Sequence, residues 1–175
     1  MGTRAVRMDT PLIIMTVVFL ALLACVLSAP MLIGPGEAMG LDGVVGRIDN
    51  GEKFESFDPL TRAVYTAGDV LCHQIESRSF TLNGNQLPVC ARDTGLLVGV
   101  SFGMAIAVIG RLRPSAPVIA VLFLPMVVDG TLQLLTSYES NNTLRALTGI
   151  MAGLALALFM ATVSEVVMEE GGTGR

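Results

Sequence analysis

The sequence predicts an all-α membrane protein with four transmembrane helices, an extracytoplasmic amphipathic helix and a polar loop. Of its 175 residues, 52% are hydrophobic and only 15% are charged, and the mean hydropathy is +0.66. Soluble domains carry about a quarter charged residues, so this deficit indicates that lipid surrounds much of the chain. We expect residues 1–175 to form a single integral membrane domain.

Four apolar runs, over residues 11–33, 94–110, 115–135 and 143–167, give the spans. Each is long enough to cross, or nearly cross, a hydrocarbon core of about 30 Å. The first is expected to remain as an uncleaved helix, because it exceeds the roughly 7–15 apolar residues of a signal peptide and Pro30 follows the best cleavage position.

Small residues recur every four positions in the second and fourth runs, which allows helix backbones to approach closely. The stripes are formed by Gly95, Gly99 and Gly103 and by Gly149, Gly153, Ala157 and Ala161. They predict tight helix contacts, and such Gly-rich faces could also join copies of the chain into a homo-oligomer.

Residues 34–93 form an outer loop between the first two spans, and its first half is expected to be irregular. From Asp58-Pro59 onward, apolar residues recur at helical spacing, which predicts an amphipathic helix capped by Asp58 and lying along the membrane surface. A turn or short hairpin is expected around Asn83-Gly84-Asn85.

The orientation follows from Arg4, Arg7, Arg111 and Arg113, which share one side of a four-span protein. The positive-inside rule makes that side cytoplasmic. We therefore expect a multi-pass protein of the cell membrane with both termini in the cytoplasm. The net charge of −4 and the lack of a basic stripe exclude a nucleic-acid partner, so membrane lipids are the expected partners.

The only His and two of the three Cys fall between Cys72 and Cys90, at the extracytoplasmic face. Cys72, His73, Cys90 and Asp93 are a suitable donor set for zinc or iron, although adjacent Cys and His side chains diverge. One alternative is a disulfide between Cys72 and Cys90, because the outer face is oxidising in many organisms. Another is a free thiol nucleophile paired with His73. Cys25, within the first span, is expected to be plain core.

Asp129 is an ionisable residue inside the third span, and such residues are costly unless they are paired or face water. We expect Arg145 to be its counter-ion, with Gln133 one turn later on the same face. Asp129 is a candidate catalytic base or metal ligand beside the candidate catalytic residues His73 and Asp93. The alternative is an Asp129–Arg145 clamp that only fixes helix packing.

Polar residues around this region are candidates for holding an anionic substrate, because guanidinium groups bind phosphate and carboxylate bidentately. The alternative is that the loop arginines are simply solvated. The candidate substrate-binding residues are Arg78, Arg92, Gln133, Asn142 and Arg145.

Linked motifs resemble a family of small prokaryotic integral membrane proteins, domain of unknown function 2085. They are Cys72-His73-Gln74, Arg78-Ser79-Phe80, residues 88–95, Asp129-Gly130, Gln133, Ser140-Asn141-Asn142, Arg145 and Thr148-Gly149. The family pattern commonly has Cys where this chain has Asp93, which makes thiol–disulfide exchange through a Cys-x-x-Cys pair unexpected here but leaves a metal ligand in place. The resemblance implies an integral membrane protein and supplies no activity.

Two functions remain open from the sequence. The first is a small membrane enzyme or metal-binding protein with a polar site at the extracytoplasmic face, acting on a lipid-like substrate. The second is a structural or accessory subunit with a Cys72–Cys90 disulfide. A transporter or channel is disfavoured, because four helices would have to oligomerise to enclose a pore.

Overall fold

A computed structural model of the chain describes residues 10–110 and 114–173, and this part is predominantly helical. Its helices are α1 (Thr10–Ser28), α2 (Gly51–Phe54), α3 (Pro59–Leu71), α4 (Ala91–Gly110), α5 (Ala116–Leu135) and α6 (Asn142–Thr173). Within this part, four helices are long and apolar enough to span a membrane. They are α1 together with the 3-10 turn that extends it to Met31, α4, α5 and the first 23 residues of α6. The prediction of an all-α protein with four spans is confirmed.

Two helix boundaries differ from the prediction. The α4 helix begins at Ala91, with Thr94 N donating to Cys90 O at 2.9 Å, so Arg92 and Asp93 lie in its first turn and not in the loop. The α6 helix continues to Thr173, past residue 167, where the fourth span was predicted to end. The orienting residues Arg4, Arg7, Arg111 and Arg113 lie outside the described residues.

The α4 and α6 helices pack through their glycine stripes. A Cβ at Gly95 would overlap the carbonyl oxygen of Ala146, and one at Gly149 would overlap that of Arg92. The predicted close contact is therefore confirmed, and the two stripes face each other within one chain. The α5 helix packs on α6, and α1 packs on α4. Because consecutive spans alternate in direction, one membrane face, called here the site face, holds the ends of α1 and α5 and the starts of α4 and α6.

The first half of the loop between α1 and α4 has no helix or strand before Gly51, as predicted, but it packs around an aromatic core. Phe54, Phe57 and Tyr65 pack with ring centroids 5.4–5.7 Å apart. Ala29, Ile33, Ala38 and Leu41 are buried against them. This core fixes the loop to the end of α1.

The α3 helix is amphipathic, as predicted, and Asp58 caps it by accepting from Leu60 N at 3.0 Å and Thr61 N at 3.2 Å. Its buried residues are Thr61, Tyr65, Gly68 and Asp69, whereas the apolar residues that marked the helix are largely exposed. Leu71, for example, is 73% exposed. An apolar face directed outward suits a helix at a lipid boundary.

A buried polar network joins α3 to the loops on either side. Asp69 accepts from the backbone N–H groups of Asp49 and Asn50, both at 2.8 Å. Gln74, which has a φ of 45°, donates through its amide to Pro88 O at 2.7 Å and to Tyr65 O at 3.3 Å. These bonds satisfy groups that would be costly to bury alone.

The predicted hairpin is confirmed. Strand β1 (Thr81–Leu82) pairs antiparallel with β2 (Asn85–Gln86). The two intervening residues, Asn83 and Gly84, have φ values of 53° and 69°, as a two-residue hairpin turn requires. The Gln86 amide then donates to Gln74 O, which anchors the hairpin beside the cysteines.

Candidate functional site

Three potential metal ligands converge at the site face. Cys72 follows the last residue of α3, Cys90 precedes α4, and Asp93 lies three residues later on the same side of that helix. Their ligand atoms all lie within 4.8 Å of one another. Cys90 N donates to Cys72 Sγ at 3.2 Å, and Cys90 Sγ donates to Asp93 Oδ2 at 3.3 Å. We call these three residues the cysteine–aspartate cluster.

The fold holds the two cysteines together from several sides. Val26 of α1 and Val89 form a small buried apolar cluster with the two cysteines. Gly68 permits the approach, because a Cβ at this position would overlap the carbonyl oxygen of Pro88. Both cysteines are buried, and both are free thiols in the structure.

The two thiols differ in acidity. The pKa of Cys72 is raised, first by a hydrogen bond between its side chain and the side chain of Cys90 and then by burial. The pKa of Cys90 is lowered, chiefly by the same hydrogen bond. Cys90 is therefore the thiol that ionises first, and a thiolate is the form that binds metals.

His73 lies outside the cysteine–aspartate cluster, as the divergence of neighbouring side chains suggests, so three of the four expected ligands meet. Its Nδ1 is buried and has no hydrogen-bond partner among the described residues. The pKa of His73 is lowered, first by burial and then by the positive charge of Arg78. The imidazole is therefore neutral at neutral pH.

Asp129 pairs with Arg92 and not with Arg145, so the expected Asp129–Arg145 ion pair is wrong. Asp129 is 4% exposed and accepts a hydrogen bond from Arg92 Nη2. Because α4 starts earlier than predicted, Arg92 lies in its first turn, and from there its side chain reaches Asp129 of α5. Tyr138, which the sequence reasoning missed, donates to Asp129 Oδ1 at 3.3 Å.

Arg145 is held by amides. It is 5% exposed and donates from Nη1 to Asn142 Oδ1 at 3.0 Å. Its Nη2 donates to the Gln133 amide oxygen at 2.7 Å, in the amide orientation that also accepts from Ser140 N at 3.2 Å. Asn142 Nδ2 donates to Ser79 O at 3.1 Å, which connects Arg145 to the residue next to Arg78.

The structure thus gathers all the sequence-predicted site residues at the site face. Arg78, Arg92 and Arg145, which we call the arginine cluster, all act electrostatically on His73. Gln74 and Asp69 were not predicted as site residues. The one available signal was their place beside Cys72, at the polar end of an otherwise apolar helical pattern.

Comparisons with known proteins agree with a membrane protein. The family described as "Predicted membrane protein (DUF2085)" matches residues 72–159, which include the cysteine–aspartate and arginine clusters. An uncharacterized protein of Methanocaldococcus jannaschii is 34% identical over 118 residues, covering 65% of this chain and 76% of the relative. An uncharacterized protein of Methanothermobacter thermautotrophicus is 32% identical over 101 residues, covering 56% and 91%. No solved structure matches the chain.

Proposed function

We propose a function for this chain, which belongs to the DUF2085 family of predicted membrane proteins. In this proposal, Cys72, Cys90 and Asp93 bind a zinc or iron ion at the extracytoplasmic membrane face. The protein then works as a small membrane enzyme on a lipid-like substrate.

The observation that carries this proposal is the convergence of two thiols and a carboxylate within 4.8 Å. A tetrahedral zinc ion with ligands at about 2.0–2.3 Å needs its donors roughly 3.5–4 Å apart. The cluster therefore needs only a small contraction to close around an ion. Two sulfurs and one oxygen also favour zinc or iron over magnesium or calcium, which prefer all-oxygen sites.

Three protein ligands favour an enzyme over a purely structural metal site. Structural zinc sites have four protein ligands, whereas catalytic sites commonly have three and leave one position open. A bound ion would there activate water or polarise a substrate oxygen. His73 is neutral, and its ring nitrogen that carries no proton is suited to accept one. Asp129 is engaged by Arg92 and Tyr138, so its part is to position Arg92.

The orientation belongs to the same proposal. The end of α4 and the start of α5 lie opposite the site face. The sequence between these two helices contains Arg111 and Arg113, and by the positive-inside rule we assign that side to the cytoplasm. A reporter that is active only in the cytoplasm, fused after Arg175, should be active. Activity of an extracytoplasmic reporter at that position would overturn the orientation.

Plasma mass spectrometry of protein purified without chelator or affinity-tag metal tests the metal site. We expect near-stoichiometric zinc or iron in the wild type, loss of metal in Cys90→Ser, and retention in Cys25→Ser, whose thiol lies in α1 outside the cluster. Free-thiol counting on the same sample should find Cys72 and Cys90 reduced.

The alternative function is an accessory subunit with a Cys72–Cys90 disulfide. The 3.2 Å contact between Cys90 N and Cys72 Sγ supports it, because it brings the second cysteine against the first sulfur. A sample without metal, in which these two cysteines are oxidised, would overturn the metal site and favour this alternative.

A further inference from the structure

The arginine cluster carries a positive charge that the described part of the protein does not balance. Arg92 is paired with Asp129. Among the described residues, neither Arg78 nor Arg145 has a carboxylate oxygen within 4.0 Å, since the described ion pairs involve other residues.

The excess is one charge. The guanidinium groups of Arg78, Arg92 and Arg145 are set against the carboxylates of Asp93 and Asp129, which is three positive groups against two negative ones while the Cys90 thiol is protonated, as its hydrogen bond to Asp93 requires. Metal binding would not change this balance, because a divalent ion with two thiolates and Asp93 carries the same net charge as Asp93 alone.

The excess positive charge is costly because Arg145 is buried. Arg145 is 5% exposed, and its described partners Asn142 and Gln133 are neutral amides. Amides satisfy the N–H groups without neutralising the charge, and an uncompensated buried charge is costly. An anion beside Arg145 and Arg78 would remove that cost.

Unpartnered nitrogen atoms also point to a ligand. Arg92 Nε and His73 Nδ1 are buried, and neither has a hydrogen-bond partner among the described residues. Buried polar atoms in folded proteins are nearly always paired. An oxyanion with several acceptor oxygens could take a hydrogen bond from Arg92 Nε and another from a His73 tautomer protonated at Nδ1.

The position of the arginines in the fold indicates which kind of anion they bind. Arg92 and Arg145 lie in the first turns of α4 and α6, where the spans leave the hydrocarbon region. Phosphate groups of lipids lie at this depth, and basic pockets between helix ends bind such head groups. Arginine recognises phosphate oxygens bidentately.

We propose that Arg78, Arg92 and Arg145, together with His73, bind a singly charged phosphate group at the site face. The group is a lipid phosphodiester or a free phosphate. This deepens the proposed function by naming the charged group of its substrate and rests on that function for any link to a reaction, but the binding itself does not require the metal.

Isothermal titration of delipidated protein in maltoside micelles tests this site, with short-chain phosphatidylglycerol and inorganic phosphate as separate probes. We expect wild-type protein to bind at least one of them, and Arg78→Gln and Arg145→Gln to bind it about tenfold more weakly or worse. The matched control Arg62→Gln, at an exposed arginine of α3, should bind like the wild type.

The two probes distinguish the source of the phosphate. Binding of phosphatidylglycerol alone identifies a lipid ligand, and binding of inorganic phosphate alone identifies a soluble one. Each outcome supports the site. Binding of neither probe, or equal binding by wild type and Arg78→Gln, overturns it. If Arg145→Gln does not fold, the half-buried Arg78 decides the question.

Metal content, measured on the same samples, separates the two proposals. Cys90→Ser should lose metal and still bind phosphate, whereas Arg78→Gln should keep metal and lose phosphate. Failure of one proposal therefore leaves the other standing.

Discussion

Arg92, in the first turn of α4, donates a hydrogen bond to the carboxylate of Asp129, a buried residue of α5. This pair joins α4, which packs closely on α6, to α5. The other side chains of α5 are largely not covered by the rest of the chain. Because Asp129 pairs with Arg92, Arg145 lacks the carboxylate partner that was expected for it. The inferred phosphate site is based on this missing partner.

Breaking the Arg92–Asp129 pair should destabilise the protein. Asp129→Asn leaves the Arg92 guanidinium uncompensated, which should lower the free energy of unfolding by about 3 kcal/mol. A double-mutant cycle with Arg92→Gln, measured by denaturant unfolding in detergent, should show coupling between the two residues. The control is Arg47→Gln, in an exposed pair 3.6 Å from Asp49, which should change stability by less than about 1 kcal/mol. Additive effects of the two site variants would contradict the pairing.

Closing the gap between α4 and α6 should be costly. Gly149→Ala puts a methyl group onto the Arg92 carbonyl oxygen, and the helices must separate, at a cost of about 1–3 kcal/mol. Gly130→Ala on α5 is the matched control, because a Cβ there has no neighbour within 4 Å. Thermal unfolding of both variants checks this. An equal shift in the two melting temperatures would show that α4 and α6 are not in close contact.

The two tyrosines of the chain should respond differently to loss of the hydroxyl group. Tyr65 is fully buried, and its hydroxyl donates to Gln86 O at 2.7 Å. Tyr65→Phe should therefore cost about 1–3 kcal/mol of unfolding free energy. Tyr138 is exposed, with a longer bond of 3.3 Å to Asp129, so Tyr138→Phe should cost less. Chemical denaturation of both variants decides this, and a larger loss for Tyr138→Phe would be inconsistent with the buried network.

The cap of α3 should make stability depend on pH in acid. The pKa of Asp58 is lowered from 3.8, first by hydrogen bonding with Thr61, whose backbone N–H donates at 3.2 Å, and then by the backbone N–H of Leu60 at 3.0 Å. Because the folded state prefers the carboxylate, this stabilisation is present above pH 3.8 and is lost as the pH falls through the folded-state pKa.

Asp58→Asn provides the control, since Asn can cap a helix without titrating in this range. The stability difference between wild type and Asp58→Asn should shift against the wild type as the pH falls below 3.8. A difference that does not change with pH would show that the carboxylate is not stabilised by the cap.

The features that the sequence predicted correctly depend on local patterns. The length of the apolar runs predicted the spans. The recurrence of small residues every four positions predicted the stripes that include Gly95 and Gly149. The Asp58-Pro59 pair marked the start of α3, and Asn83-Gly84 marked the hairpin. In each case the signal lies within a few residues, so one sequence is enough to find it.

The features that it missed depend on distant partners or on helix rotation. The choice of Arg92 over Arg145 as the partner of Asp129 depends on the exact start of α4 and on which of its sides faces α5. Asp69 finds its partners about 20 residues away in the loop, and no short pattern encodes that pairing. The position of His73 outside the cysteine–aspartate cluster, in contrast, could be expected from the sequence, because the side chains of adjacent residues diverge.

The central claim is that Cys72, Cys90 and Asp93 hold a metal ion, and X-ray absorption at the metal edge tests it most directly. For zinc, we predict two sulfur neighbours at about 2.3 Å and oxygen or nitrogen neighbours at about 2.0–2.2 Å. Cys90→Ser should lose a sulfur neighbour or the ion itself. A bound ion with no sulfur neighbours, or two sulfur neighbours retained in Cys90→Ser, would contradict the account.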